Sequence, residues 1–352
     1  MILFAFPRIY KASVRRRFLL AFVCVLLATP LSAHGQEPDT GDEVLRISTD
    51  LLLFTVRIKA KDNVSIDGLS REAFTLKDKD GVTAGIYFYR GVDRVSLVFA
   101  LDQSGSTRDI ISRQRNAALG LFGKFGERSK VAVLRFAESP TVAVPFEPNV
   151  DTVRDAFNFP VAVNQRTAIF DAAAASVSLF SNLPRVRSER RIVVLISDGL
   201  DNASQTNAKA VVEAAQRNRV SFYVIHIPLF EPRDGRLSVR RTAGGFRDLA
   251  EKTGGKYFLA ADSRAALASN SDFDLAPIFK AIEDDLKSQF LLGFYLNERA
   301  NDGLRHEFSL SMPEGFQYQV IGRGFDRTQK FFVHNPSSLL QRKYYAASWI
   351  SH

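Results

Sequence analysis

VSLVFALDQSGS, residues 95–106, is an apolar run that ends abruptly in a carboxylate and two hydroxyls. A nearly continuous apolar run of this kind indicates a β-strand that is covered on both faces of its sheet. The turn that follows needs polar residues, but it does not need Asp102, Ser104, Ser106 and Thr107 together. Other parts of the chain must explain why an acid and three hydroxyls follow a buried strand.

The sequence around this run alternates between strand-like and helix-like segments. Further apolar runs occupy residues 131–136, 192–196, 220–225 and 256–259. Helix-like stretches lie between the runs, at residues 109–125, 168–183, 206–218 and 244–253. A closing helix carries Leu275, Ile278, Phe279, Ile282 and Leu286 on one face, with Asp274 as its candidate N-cap. This alternation predicts a doubly wound, mainly parallel α/β domain over residues 93–289.

The segments on either side of this domain have a β pattern. Residues 44–92 contain short β-rich runs and an Asp80-Gly81 hairpin signal, and residues 290–324 contain three more runs. Each segment has too few strands to bury a core by itself. We therefore predict one smaller β-sandwich built from both segments, with the α/β domain inserted in it. The tail, residues 325–352, fits no clear element, and we interpret it as a variable end rather than a partner-binding extension.

The N-terminus has the plan of a secretory signal peptide. Arg15-Arg16-Arg17 precede the apolar run 18–31, and Ala33-His34-Gly35 offers small residues at a cleavage site. We predict a signal peptide over residues 1–35, with cleavage near Gly35, and a polar linker over residues 36–43. The mature protein is then expected to be secreted or periplasmic, as suits a protein of the bacterial envelope. The alternative is an uncleaved anchor, which would be the only membrane attachment.

Charge and cysteine content exclude several classes of function. Residues 1–35 hold five Lys or Arg and no acid, so the net charge falls from +9 to +4 after cleavage. This modest excess does not indicate a nucleic-acid binder. Cys24 is the only cysteine, so the mature chain has no disulfide, no thiolate metal site and no cysteine nucleophile.

Two further polar elements are expected near Asp102. Ser197-Asp198-Gly199 ends another apolar run, and Thr167 opens a helix-like stretch. Ligands of open α/β sheets bind outside the carboxyl ends of the strands, where these elements converge. Their donors are hard oxygens without His or Cys, which suits Mg²⁺, or alternatively Mn²⁺ or Ca²⁺, and does not suit a typical zinc site.

These residues resemble a known motif. D-x-S-x-S at residues 102–106, a threonine in T-A-x-x-D-A at residues 167–172, and S-D-G at residues 197–199 are similar to the metal-ion-dependent adhesion site (MIDAS) of von Willebrand factor type A (VWA) domains. T-G-G-K-Y-F at residues 253–258 and S-Q-F-L-L-G-F-Y at residues 288–295 resemble the VWFA-related subfamily of bacterial secreted proteins. The resemblance covers residues 44 to 324 approximately.

The resemblance implies a metal site and a partner. By the family pattern, Ser104, Ser106 and Thr167 reach the ion directly or nearly so, and Asp102 and Asp198 act mainly through water. Neutral hydroxyls leave the charge of the cation poorly compensated, so a protein partner can complete its coordination with an Asp or Glu side chain. The resemblance thus implies metal-dependent protein binding of the adhesion type, with no small-molecule substrate.

Two positions depart from the family pattern. Gln165-Arg166 precede Thr167 where the family commonly has glycine, and Arg166 could repel a cation or attract an acidic ligand. Leu200 replaces an acidic residue often found after S-D-G. A scaffold with a degenerate, metal-free site is therefore the alternative function.

Several of these residues and their neighbours also have simpler, structural interpretations. Ser106 or Thr107 could cap a helix, Asp198-Gly199 could be a plain turn, and His226 is more typical of a core. We expect capping or loop roles for Asp171 and Asp201. A hydrolase with Ser104 or Ser106 as nucleophile needs a base nearby, and the chain has no G-x-S-x-G elbow. We therefore predict that the protein is not an enzyme.

Overall fold

The protein is described here from a computed structural model. The described residues are 51–61, 66, 69–78, 83–92, 94–125, 129–160, 166–184, 186, 189–261, 274–295, 305–321 and 330–334. The predicted signal peptide, the linker and the Asp80-Gly81 turn lie outside these residues. Within them, no helix is long and apolar enough to cross a bilayer.

The chain alternates β-rich and α/β regions. Its strands are β1 (Leu51–Ala60), β2 (Thr75–Asp78), β3 (Thr83–Ala84), β4 (Ile86–Gly91), β5 (Arg94–Asp102), β6 (Lys130–Phe136), β7 (Pro140–Glu147), β8 (Glu189–Ser197), β9 (Val220–His226), β10 (Phe230–Arg233), β11 (Arg236–Val239), β12 (Tyr257–Leu259), β13 (Gln289–Tyr295), β14 (Arg305–Ser311), β15 (Phe316–Ile321) and β16 (Lys330–His334). Its α-helices are α1 (Gly105–Arg113), α2 (Arg115–Phe122), α3 (Asp151–Arg154), α4 (Ile169–Leu179), α5 (Ala208–Asn218), α6 (Phe246–Glu251) and α7 (Ala276–Lys287). Short 3₁₀ turns cover Arg71–Ala73, Asp155–Phe157 and Phe180–Asn182.

A six-stranded sheet in the order β12-β9-β8-β5-β6-β7 forms the centre of the α/β domain. All its neighbouring strands are parallel except β7, which runs antiparallel to β6 at the edge. Side chains alternate along β5, so Leu97 and Phe99 pack on the face of α1, α2 and α7, whereas Val98 and Ala100 pack on the face of α4, α5 and α6. Both faces are buried, and the predicted doubly wound fold is confirmed.

Two four-stranded sheets form the smaller domain, in the orders β15-β1-β13-β4 and β16-β14-β2-β3. Their facing sides share one core, in which Phe294 and Phe308 lie 4.9 Å apart between ring centroids. Strands from before and after the α/β domain thus pair directly, as in the register of β1 with β13. The predicted sandwich of flanking segments is confirmed as part of the fold.

Several local predictions need correction. The helix expected over residues 109–125 is two helices, α1 and α2, which meet at Gln114. Leu275 is the N-cap of α7, although the carboxylate of Asp274 does accept a hydrogen bond from the Ala276 N–H at 2.9 Å. The tail is not featureless, because β16 pairs with β14. β16 was not predicted because its five residues lie between polar neighbours and give a weak signal. Pairing with the edge of β14 stabilises this strand.

A polar network joins the sandwich to the α/β domain. Arg57 lies on the face of β1 opposite the sandwich core, and its Nε is 2.7 Å from Oδ1 of the buried Asp285 on α7. Asp285 also contacts Lys256 Nζ at 2.6 Å and accepts a hydrogen bond from the Tyr223 hydroxyl at 2.7 Å. Burial acts to raise the pKa of Asp285, but Arg57, Lys256 and Tyr223 outweigh it and lower that pKa.

The T-G-G-K-Y-F motif belongs to this junction. The carbonyl of Gly254 accepts a hydrogen bond from Arg57 Nη2 at 2.7 Å. A Cβ on Gly255 would lie 1.8 Å from the backbone oxygen of Phe222, so only glycine allows this close approach of the two backbones. Gly254 therefore belongs to the contact between the domains, and Gly255 allows the close packing of this segment on β9 within the α/β domain.

Candidate functional site

Two carboxylates meet at the ends of neighbouring strands. Asp102 is the last residue of β5, Asp198 follows directly on β8, and these strands are parallel partners in which Leu101 pairs with Ile196. Both acids are buried, with relative exposures of 0% for Asp102 and 5% for Asp198. The place of Asp102 at the end of a strand predicts a carboxylate that faces solvent. This prediction is wrong, because the loops that follow the strands cover the end of the sheet.

The carboxylate of Asp102 is held from two sides. Its Oδ1 accepts a hydrogen bond from the Ser104 N–H at 2.9 Å, and its Oδ2 accepts one from the Ser197 hydroxyl at 2.6 Å. Burial raises the pKa of Asp102 to about 6, and the nearby charge of Asp198 adds to this effect against the hydrogen bonds from Ser197 and Ser104. A cation placed here would relieve the cost of the buried negative charge.

This pKa predicts how stability depends on pH in the metal-free protein. Because the folded pKa, about 6, exceeds the ordinary value of 3.8, Asp102 favours the folded state most below pH 3.8, and this contribution is lost as the pH rises through about 6. In EDTA, the unfolding free energy of wild type should therefore fall by about 3 kcal/mol relative to that of Asp102→Asn as the pH rises from 3.8 to about 6.

Urea unfolding of both proteins at a series of pH values measures this difference. Asp109→Asn is the control, since the side chain of Asp109 is 68% exposed and this substitution should leave the pH profile unchanged. A difference between Asp102→Asn and wild type that stays constant with pH would contradict the prediction.

Ser104 does not act as an ordinary helix cap. It occupies the N-cap position of α1, yet its side chain makes no capping hydrogen bond. Its hydroxyl lies 3.0 Å from the hydroxyl of Thr107, which donates to the carbonyl of Asp102 at 2.9 Å. Thr107 thus ties the start of α1 to the end of β5. Ser106 lies in α1, and its side chain is outside the described part of the structure.

The S-D-G segment is a tight exit from β8. Oδ1 of Asp198 accepts a hydrogen bond from the Leu200 N–H at 3.0 Å, and the Ser197 hydroxyl accepts one from the Gly199 N–H at 3.1 Å. Gly199 has φ = +82°, and a Cβ there would lie 2.4 Å from the Thr242 side chain. The turn therefore requires glycine, and it places Ser197 and Asp198 beside Asp102.

Thr167 lies on a segment that crosses the end of β5. Its N–H donates to Oδ1 of Asn202 at 2.8 Å, in the loop after β8, and the next residue, Ala168, donates to the carbonyl of Ala137 at 2.7 Å, just after β6. Because β8 and β6 flank β5, this segment spans the strand end that carries Asp102. Thr167 is buried there, with an exposure of 5%.

Asp171 and Asp201 hold the surrounding loops. The carboxylate of Asp171 accepts hydrogen bonds from the N–H groups of Gln205 and Thr206, and that of Asp201 accepts from Phe170 N–H and from Ser204. Burial acts to raise the pKa of Asp171, but the bonds from Thr206 and Gln205 lower it. These are structural roles of the kind expected from the sequence.

Two further residues near the site, His226 and Arg166, make contacts within the fold. His226 is buried, its Nδ1 contacts the Tyr257 hydroxyl, and burial lowers its pKa, as fits a core histidine. Arg166 Nη1 lies 2.5 Å from Oε1 of Glu138, so its charge is compensated at the surface.

Sequence reasoning did not single out Ser197 as a site residue, although it is the residue that orients the Asp102 carboxylate. Its place directly before Asp198 was the available signal.

The donor set at this end of the sheet consists of oxygens. Two buried acids and the hydroxyls of Ser104, Thr107 and Ser197 form a connected cluster, and Thr167 borders it. Such donors suit a hard divalent cation. Among the described residues there is no group of three or more His, Cys, Asp and Glu side chains that could hold a metal, so any ion would depend on hydroxyls as well as carboxylates.

The chain thus has an open, doubly wound α/β sheet whose loops gather acids and hydroxyls at the carboxyl ends of the strands, which is where proteins of this class bind their ligands. The profile of the von Willebrand factor type A domain matches residues 96–271, half of the chain, and the chain belongs to this family. Members of the family often mediate protein–protein interactions and often bind a metal at the MIDAS.

Solved structures of this class resemble the chain at low identity. BatB from Bacteroides thetaiotaomicron is 18% identical, with 55% of this chain and 96% of that chain covered and a TM-score of 0.39. A von Willebrand factor type A protein from Catenulispora acidiphila is 12% identical, with 78% and 73% covered and a TM-score of 0.42. Proximal thread matrix protein 1 from the mussel byssus, with a zinc-occupied MIDAS motif, is 14% identical, with 60% and 50% covered and a TM-score of 0.44. A comparison with curated proteins gave no match.

Proposed function

We propose that the protein is an extracytoplasmic, non-enzymatic binding module that captures an acidic side chain of a protein partner through a divalent cation, Mg²⁺ in the first place. The observation that carries the proposal is the pair of buried, adjacent carboxylates, Asp102 and Asp198, beside a serine whose hydroxyl does not cap its helix. A bound Mg²⁺ would supply a positive charge with a coordination position for the partner's carboxylate.

The residues of the chain have separate parts in this proposal. Ser104, Ser106 and Thr167 would contact the ion, and Asp102 and Asp198 would hold its water. Ser197 and the Ser104 N–H fix the Asp102 carboxylate by the hydrogen bonds described above. Because orienting bonds of this kind keep ligands in place, the site is preorganised for one small ion.

The alternative is a scaffold whose site binds no metal, and Arg166 motivates it. The contact between Arg166 and Glu138 favours the metal-binding function, because a guanidinium that is neutralised by a carboxylate repels a nearby cation less. A non-enzymatic role is favoured by the surroundings of Ser104, whose hydroxyl is bonded to that of Thr107, while the His226 imidazole contacts Tyr257.

Partner capture tests the proposed function. The purified chain, immobilised in Mg²⁺, should retain an envelope protein that EDTA releases and that Mg²⁺ restores. The Ser178→Ala protein is the control, because Ser178 lies exposed on α4 and its hydroxyl donates to the Ala174 carbonyl of the same helix. Retention that is unchanged by EDTA would favour the scaffold, and turnover of a generic ester would favour the hydrolase.

A further inference from the structure

A β-hairpin that the sequence analysis did not predict stands next to the candidate site. It consists of β10 and β11, which form a separate two-stranded sheet joined by Asp234-Gly235. It follows β9, and β9 lies beside β8, with His226 paired to Ser197. The hairpin therefore leaves the sheet at the edge where Asp198 lies.

Backbone hydrogen bonds fix the base of the hairpin against the site. The Arg240 N–H donates to the carbonyl of Leu229 at 2.7 Å and closes the base. The Ala243 N–H donates to the carbonyl of Gly199 at 2.8 Å, directly after Asp198. Thr242 packs on Gly199 so closely that no side chain fits between them. The hairpin thus has a defined position relative to Asp198.

The two faces of the hairpin differ in chemistry. Phe230 pairs with Val239, and Pro232 pairs with Leu237, on one face; Phe230, Leu237 and Val239 are half-buried. The register pairs Glu231–Ser238 and Arg233–Arg236 lie on the other face, where both arginines are exposed and Glu231 and Ser238 are half-buried. Because like charges at directly opposite positions disfavour strand pairing, the arginine pair is better suited to binding than to the stability of the hairpin.

The hairpin and its base, residues 229–241, carry a net positive charge, with four arginines against two acids, Glu231 and Asp234. Four arginines, Arg233, Arg236, Arg240 and Arg241, are exposed, and within the described part of the chain no carboxylate lies within ion-pair distance of any of them. Other exposed arginines, such as Arg166 and Arg247, do have acidic partners. Arginine is well suited to bind carboxylates at an interface, because its guanidinium offers a fork of donors.

We infer that these four arginines form an arm that binds carboxylates. The partner is then a protein segment in which the metal-binding Asp or Glu is accompanied by further acidic side chains. The inference rests on the proposed function, since it assigns the arm to the same partner. Charge complementarity and the fixed position of the arm beside Asp198 support it. One carboxylate of the partner would coordinate the metal ion, and the neighbouring carboxylates would form ion pairs with the arginines of the arm.

Peptide binding tests the arm. Fluorescence anisotropy should show that the full chain in Mg²⁺ at low salt binds labelled decaglutamate about tenfold more tightly than a Gly/Ser peptide with a single Glu, since each exposed ion pair adds a modest increment. The variant R233Q/R236Q/R240Q/R241Q should lose this preference and bind the single-Glu peptide unchanged. The control K59Q/K61Q/K77Q/K124Q removes the same charge from exposed positions elsewhere and should keep the preference.

The outcomes separate this inference from the proposed function. If EDTA abolishes binding but the arginine variant behaves like wild type, the metal function stands and the arm is refuted. If the arginine variant loses the preference but EDTA has no effect, the arm stands and the metal function fails. The inference would be overturned if the lysine control lost the preference for decaglutamate as the arginine variant does, or if wild type showed no such preference. It would also be overturned if the protein bound phosphatidylserine vesicles through these arginines but did not bind decaglutamate.

Discussion

Asp285→Ala should lower the free energy of unfolding by about 3–5 kcal/mol, because it removes one partner of a buried ion network. Asp285 is 3% exposed, and it neutralises Arg57, whose side chain is only 13% exposed. Its loss leaves that guanidinium poorly solvated and deprives the buried Tyr223 hydroxyl of its acceptor at 2.7 Å. Gln289, which donates to the same carboxylate at 3.0 Å, is also affected.

The adjacent residue provides a matched control. Asp284 lies on the same helix and is 59% exposed, and its carboxylate contacts only the exposed Lys280 among the ion pairs of the described residues. Asp284→Ala should therefore change stability by less than about 0.5 kcal/mol. Guanidinium chloride unfolding of the three proteins measures both effects. Equal, small losses would show that the network contributes little to holding the two domains together.

Asp102→Asn should weaken Mg²⁺ binding about 10- to 100-fold without unfolding the protein. Asparagine has nearly the same volume, its carbonyl can accept from the Ser104 N–H, and its amide can donate to the Ser197 hydroxyl. The substitution therefore removes a negative charge and leaves no cavity. Alanine would be a poorer choice, because at a position with 0% exposure it would leave both of these hydrogen-bonding groups without their acceptor.

Calorimetric titration of Mg²⁺ decides this prediction. Thr167→Ala should also weaken binding, because the proposed function assigns the Thr167 hydroxyl to the ion, and Ser178→Ala should bind like wild type. Wild-type protein that binds no divalent ion at millimolar concentrations would replace the metal function with the scaffold. Unchanged affinity in Asp102→Asn would instead show that the ion binds elsewhere.

Much of the fold could be predicted because its signals are local. Strands buried on both faces are continuous apolar runs, so β5, β6, β8 and β9 were each found within a few residues of their observed bounds. Edge elements carry weaker signals. β7 has a mixture of half-buried and exposed residues and contains prolines, and β10 and β11 are four residues each. The sequence did not reveal these three strands because their signals are weak.

The residue types of the site and their positions along the chain could be predicted from local sequence patterns. D-x-S-x-S and S-D-G each lie directly after an apolar run, and the order of parallel strands brings such ends together. Four other properties follow from the packed fold: Asp102 is buried, Ser197 orients its carboxylate, Arg166 is paired with Glu138, and Arg57 contacts Asp285. These four properties depend on contacts between residues that are far apart in the sequence. Short-range patterns record the periodicity of an element, but burial and ion pairing arise only when distant elements pack.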